Sequence, residues 1–128
     1  MTYLVDTHTL LWFLRSPDGL PKMVRELLED PATTLAVSIV TPWEISIKNN
    51  TGRINAQDIL DDFDSILIRG RFNLLGASLS QVIQSGRLPL FHRDPFDRLL
   101  AAQSLDLGWT LLSKDAIFDA YGARRLWD

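Results

Sequence analysis

Short apolar runs alternate with longer amphipathic stretches along the whole chain. Tyr3-Leu4-Val5 is a β-prone run, followed by an apolar segment from Thr7 to Leu14 that ends at a Ser16-Pro17-Asp18-Gly19 turn. Pro21 suits the first turn of a helix whose Val24, Leu27 and Leu28 share one face, and Asp30-Pro31 closes it. Leu35 to Ser38 reads as a second buried strand. Thr41-Pro42-Trp43-Glu44 then opens a helix to about Asn50, with Thr41 and Glu44 spaced as a capping box and Gly52 beyond its end. From Ala56 to Ile68 the apolar positions Ile59, Leu60, Phe63, Ile66 and Leu67 predict one amphipathic helix. Phe72 to Leu75 is a third strand and Ser80 to Ser85 a short helix. Asp94-Pro95-Phe96-Asp97 starts a helix closed by Gly108, and Trp109 to Ser113 is a fourth strand. A short helix then ends at Tyr121-Gly122, before a terminal run from Arg124 to Trp127.

Strands alternating with helices predict βαβ crossovers, hence an α/β fold with a mostly parallel central sheet flanked by helices on both faces. A length of 128 residues suits a single domain over 1–128. In sheets of this kind the working residues gather beyond the carboxyl ends of the strands.

Composition narrows the function less than the pattern does. Apolar residues at 46% and charged residues at 23% are an ordinary globular balance and argue against disorder. With no cysteine, disulfides and thiolate metal sites are excluded. The start lacks a basic n-region and no apolar stretch is long enough to span a bilayer, so the expectation is a cytoplasmic protein without a membrane segment. A formal charge of −3 speaks against a broad basic surface for nucleic acid. If four of the acids form a metal site, however, the 13 basic residues slightly exceed the acids that remain.

Candidate chemistry begins with those acids. Asp6 follows the first strand directly and Asp115 follows the fourth, so both fall at the edge where function collects, although each also suits a helix cap. Glu44 fits the capping box with Thr41, yet a glutamate at the start of that helix also projects over the same edge. Asp94 before Pro95 is an N-cap by its position, which leaves Asp97, in the first turn, as the metal-facing acid of the pair. Four carboxylates and no sulfur suit a hard cation, Mg²⁺ or Mn²⁺. Metal-assisted hydrolysis of a phosphodiester is the chemistry such a set performs. His8, near Asp6, is a candidate substrate contact; His92 reads as a local cap or pair. Lys48, Arg53, Arg93, Arg98 and Lys114 are candidate phosphate contacts, with Lys48 also spaced for an i, i+4 pair with Glu44. Trp12, Trp43 and Trp109 read as core or interface, with base stacking as the second option.

Four segments in this order carry a resemblance: Tyr3 to Trp12, Ser38 to Lys48, His92 to Gln103, and Leu111 to Asp115. Together they resemble the PIN-domain nucleases, most closely the VapC-type toxins of bacterial toxin–antitoxin pairs. The resemblance implies catalytic, metal-holding roles for Asp6, Glu44, Asp97 and Asp115. It implies a small hydroxyl residue beside the fourth acid at Ser113, a supporting role for Asp94, and a weaker acidic candidate in Asp119. It also implies a three-layer α/β/α PIN-like fold and a Mg²⁺- or Mn²⁺-dependent endoribonuclease with RNA, transfer RNA included, as substrate. A homodimer held inactive by a cognate antitoxin completes that expectation. The alternatives are a catalytically inactive PIN-like module that binds protein or RNA, and a receiver-like phosphotransfer domain. The latter needs an acceptor aspartate after the third strand, and Phe72 to Ala77 has none.

Overall fold

The fold follows from strands that are apolar on both faces. In the computed structural model, which describes residues 1–128, β1 (Thr2–Val5), β2 (Thr34–Ser38), β3 (Phe72–Leu75), β4 (Thr110–Leu112) and β5 (Arg125–Leu126) form one sheet in the order β3-β2-β1-β4-β5. Every pairing is parallel, with Val5 opposite both Val37 and Leu112. Leu4, Ala36 and Leu111 face one side and pack with Leu99, Leu100 and Phe118. Val5, Val37 and Leu112 face the other and pack with Leu10, Val24, Leu28 and Leu67. The helical residues on one side come from α7 (Pro95–Leu107) and α8 (Ile117–Ala120), joined by Leu88 at the end of α6 (Leu79–Arg87). Those on the opposite side come from α1 (Thr7–Arg15), α2 (Lys22–Glu29) and α5 (Phe63–Arg69). Apolar runs rather than clean alternation mark the strands because both sheet faces are covered. The sheet is therefore wholly parallel, a stronger form of the predicted layering.

Chain order matters for function. The chain builds outward from β1 to β2 to β3, then crosses back to place β4 on the other flank of β1. The carboxyl ends of β1 and β4 thus meet at the point where the winding direction reverses, which is where parallel sheets open a crevice.

Three local expectations are corrected. α3 spans Val40–Asn50 and starts directly from the end of β2, so Thr41 lies inside the helix and is no N-cap. Its hydroxyl instead meets that of Thr7 at 3.1 Å, and no capping box with Glu44 forms. The stretch after Ala56 is two helices, α4 (Gln57–Asp61) and α5, broken at Asp62 with φ −114° and ψ 16°. Consecutive aspartates are poor helix formers and favour helix ends, and Asp62 is further drawn off by Arg69 at 2.9 Å. The helix expected near Ser80 is longer, Leu79–Arg87, because Ser78 and Gln81 form the capping box there. The two-residue β5 was too short for any periodic signal.

Arg98 is also corrected. Expected at phosphate, it is buried and donates to the carbonyls of Leu88 at 2.8 Å, Pro89 at 3.0 Å and His92 at 3.1 Å. Tyr121 assists, its hydroxyl donating to Pro89 O at 2.8 Å and accepting from His92 N at 2.8 Å. The two side chains bolt the segment between α6 and α7 to the fold. Arg98→Met should lower unfolding free energy by about 2–3 kcal/mol, since several carbonyls lose a charged donor at once. Urea denaturation checks this; a midpoint equal to wild type would show that water replaces the guanidinium without loss.

Candidate active site

Asp6 is the N-cap of α1, its carboxylate accepting the Thr9 N–H at 2.8 Å. The capping and functional readings coincide in this one residue. The strand before it is pinned to β4, with Asp6 N donating to Leu112 O at 3.3 Å and the Thr9 hydroxyl donating to the same carbonyl at 2.8 Å. The buried Ser113 hydroxyl hydrogen-bonds to the Asp6 carboxylate and accepts from Asp115 N at 3.0 Å. Ser113 therefore couples the two acids that end the two central strands.

Asp97 enters from above. Asp94 caps α7, accepting from Phe96 N at 2.9 Å, and Pro95 occupies the first turn. That geometry sets Asp97 three residues after the cap, so that Asp6, Asp97 and Asp115 line one cavity of about 220 Å³ together with His8, Trp12 and Lys114. Glu44 does not line that cavity. It lies behind it, 1% exposed, paired through Oε2 with the Lys48 ammonium, while Oε1 is buried with no hydrogen-bond partner. Lys48 is accordingly occupied by the glutamate. Asp119 is drawn outward into a two-pronged pair with Arg125 at 2.9 Å and takes no part.

His92 is the residue that sequence reasoning missed. Its Nδ1 accepts from Asp94 N at 3.2 Å, which assigns the proton to Nε2. Nε2 lies 2.8 Å from Asp97 and 3.4 Å from Asp115, so the ring bridges two of the acids. Its place in His92-Arg93-Asp94-Pro95-Phe96-Asp97 was the available signal; the contact to Asp115 depends on tertiary structure and has no local trace.

Electrostatics describe a site short of positive charge. Burial raises the Asp6 carboxyl above its usual range, only partly offset by hydrogen bonds from Ser113 and Thr9. Asp97 is pushed up to about 8, first by burial and then by the charges of Asp94, Glu44, Asp6 and Asp115. Three grouped carboxylates, with the unpartnered Glu44 Oε1 buried near them, fit a divalent cation held by oxygen. The nearest carboxylate oxygens of Asp97 and Asp115 lie within 4.8 Å of each other, with the His92 Nε2–H between them. Asp6 and Asp97 would share the ion with Asp115, and Glu44 would complete the negative field behind them.

The chain is thus a parallel α/β domain with a carboxylate-lined crevice at the switch point of its sheet. The PIN domain family model matches residues 3–124, and the chain belongs to that family. Ribonuclease VapC22 of Mycobacterium tuberculosis is 29% identical over 116 residues, covering 89% of this chain and 87% of that one. VapBC2 from Rickettsia felis, solved bound to a DNA fragment from its promoter, superposes with a TM-score of 0.73 at 16% identity over the full length of both chains. VapBC-1 from nontypeable Haemophilus influenzae gives 0.72 at 18% identity, covering 98% of this chain and 97% of that one. At those identities the structural likeness concerns the fold.

The raised carboxyls set a pH dependence. A carboxyl whose folded pKa lies above its unfolded value binds its proton more tightly in the native state, so its contribution is lost as pH rises. For Asp97 that window runs from its ordinary 3.8 to about 8, and Asp6 acts in the same direction. In EDTA the melting temperature should therefore fall by on the order of 5 °C between pH 6 and pH 8. Divalent ion should flatten the fall. Differential scanning calorimetry measures both; a melting temperature that rises with pH in EDTA contradicts the assignment.

Proposed function

We propose that this chain is a metal-dependent endoribonuclease, the toxin of a toxin–antitoxin pair, which hydrolyses RNA phosphodiester bonds with Mg²⁺ or Mn²⁺. The observation that carries the reading is the convergence of Asp6, Asp97 and Asp115, from three separate elements, on one cavity at the sheet's switch point. The name of the M. tuberculosis relative, a ribonuclease, agrees with it.

The division of labour follows from environment. Asp6 and Asp115, tied together through Ser113, form the fixed floor of the site. Asp97 and Glu44 supply further negative charge, and Lys48 keeps the buried glutamate in place. A bound divalent cation would neutralise charge on the phosphodiester and make an attacking water more acidic. A carboxylate within reach of that water accepts its proton as the bond to phosphorus forms and the phosphorus–oxygen bond to the departing ribose breaks. His8 and Lys114, both at the cavity, present groups that can bind the phosphate oxygens. Asp94 holds the helix that presents Asp97, and His92 orients that carboxylate.

Partners follow from the resemblance and from surface chemistry. A cognate antitoxin and a second copy of the chain are the proposed protein partners, and the two-component names of the fold neighbours agree with the first. Ile39, Pro42, Leu60, Phe63, Leu67 and Leu74 line another hollow together with Asp61 and Asp64, a mixed surface suited to protein contact. No helix is long and apolar enough to cross a membrane. The resemblance supplies the rest of the reading: a cytoplasmic site of action, and transfer RNA as the substrate class.

Purified protein free of antitoxin should cleave RNA with Mg²⁺ or Mn²⁺ and stop when EDTA is added. Asp6→Asn should reduce cleavage by more than about a hundredfold, beyond the usual cost of losing a residue that merely supports a metal ligand. Circular dichroism should show the fold intact. A wild-type protein that binds its partner and RNA but never cleaves with either ion would instead be an inactive PIN-like module.

A further inference from the structure

Among the residues that line the acidic cavity, Trp12 is the single hydrophobic one. An indole in the wall of a pocket otherwise made of three carboxylates, a histidine and a lysine has no part in holding a cation. Its position is well determined. Trp12 lies on α1, whose N-cap is Asp6, so acid and ring are joined by one rigid helix. They stand six positions apart, roughly 9 Å along the axis. The ring is backed by Trp127, with centroids 5.5 Å apart and planes inclined by 37°. Half-buried against the second core cluster, it nonetheless keeps surface on the cavity. Lys114, the residue before Asp115, holds its ammonium over that ring, 5.6 Å from the centroid.

We propose that Trp12 and Lys114 form a nucleobase subsite, in which an unstacked RNA base beside the scissile phosphate lies on the indole and Lys114 pairs with an adjoining phosphate. The proposal rests on the ribonuclease reading and specifies the substrate: single-stranded RNA, or a loop whose base can leave its stack. A base inside a duplex has both faces covered by its neighbours and cannot use the indole.

Relative strengths favour the exchange this requires. An exposed cation–π contact is weak, whereas a base stacked on an aromatic side chain improves binding roughly tenfold to a hundredfold. A base can therefore displace the ammonium from the ring. The freed lysine, flexible and beside the acid at the end of β4, gains a phosphate as its new partner. Rigidity of the Trp12–Trp127 pair means that little ordering is needed when the base arrives. A peptide partner would be a different occupant, and the negative cavity next to the ring would then call for a basic side chain rather than a planar base.

The test combines variants of the full-length protein with RNA oligonucleotides in which one nucleotide at a time is abasic. Binding is read by fluorescence anisotropy in Ca²⁺, and cleavage separately in Mn²⁺. For wild type, one abasic position should weaken binding about tenfold. Trp12→Leu should bind the intact oligonucleotide about tenfold more weakly and lose no more at that abasic position, giving a coupled cycle. Trp12→Phe, which keeps a ring, should recover most of the coupling and shows that the effect is not one of folding. Lys114→Met should reduce the slope of log affinity against log salt by about 0.7. Equal abasic penalties in wild type and Trp12→Leu at every position overturn the subsite, and would leave Trp12 to the core edge or to a protein partner. Coupled binding without any cleavage by wild type would keep the subsite and defeat the nuclease reading, so the two failures are distinct.

Discussion

Carboxylates gathered around the ends of β1 and β4, with Asp6 and Glu44 buried and Asp97 partly so, repel one another, and that repulsion is the constraint around which this molecule is arranged. Asp6, Asp97 and Asp115 share one small cavity, with Glu44 buried behind it. The fold can tolerate them in two ways. Protons can stay on some of them, as the upward shifts of Asp6 and Asp97 show, or a cation can be added. A site that needs a cation to be fully ionised is a site prepared to bind one.

Much of the surrounding structure holds this unfavourable arrangement in place. Parallel pairing of β1 with β4 brings Asp6 and Ser113 together, and the Thr9 hydroxyl ties α1 to the end of β4. Thr7 and Thr41 join the starts of α1 and α3, which fixes the helix that carries Glu44. On the far side, Arg98 and Tyr121 anchor the segment carrying His92, and Asp94 with Pro95 sets the first turn of α7. Each contact is modest alone. Their effect is to hold Asp6, Glu44 and Asp97 close together despite the repulsion.

The layers were legible from sequence because both sheet faces are apolar, so each strand stands out as a short run between polar helices. Asp6 and Asp115 were legible for the same reason: a strand end can be read locally. Glu44 was assigned by its place at the start of a helix, but the capping box that competed for it depended on where α3 begins. That start is set by a tight departure from β2 and the Thr7–Thr41 contact, which span distant parts of the chain. Arg98 was misread because it adjoins Asp97 in sequence, while on the helix successive residues point in different directions. His92 was overlooked for the converse reason, being distant in sequence from Asp115 yet in contact with it. Trp12 read as core, and so in part it is; its cavity-facing side emerges only once α1 is placed beside β4.

The central claim, that these acids form one divalent-cation centre, is tested most directly by anomalous diffraction from crystals of the protein grown with Mn²⁺. The account predicts one or more manganese peaks in the cavity, bound by carboxylate oxygens of Asp6 and at least one of Asp97 and Asp115. Manganese absent from that cavity at saturating concentration, or bound only by carboxylates elsewhere on the surface, would contradict it.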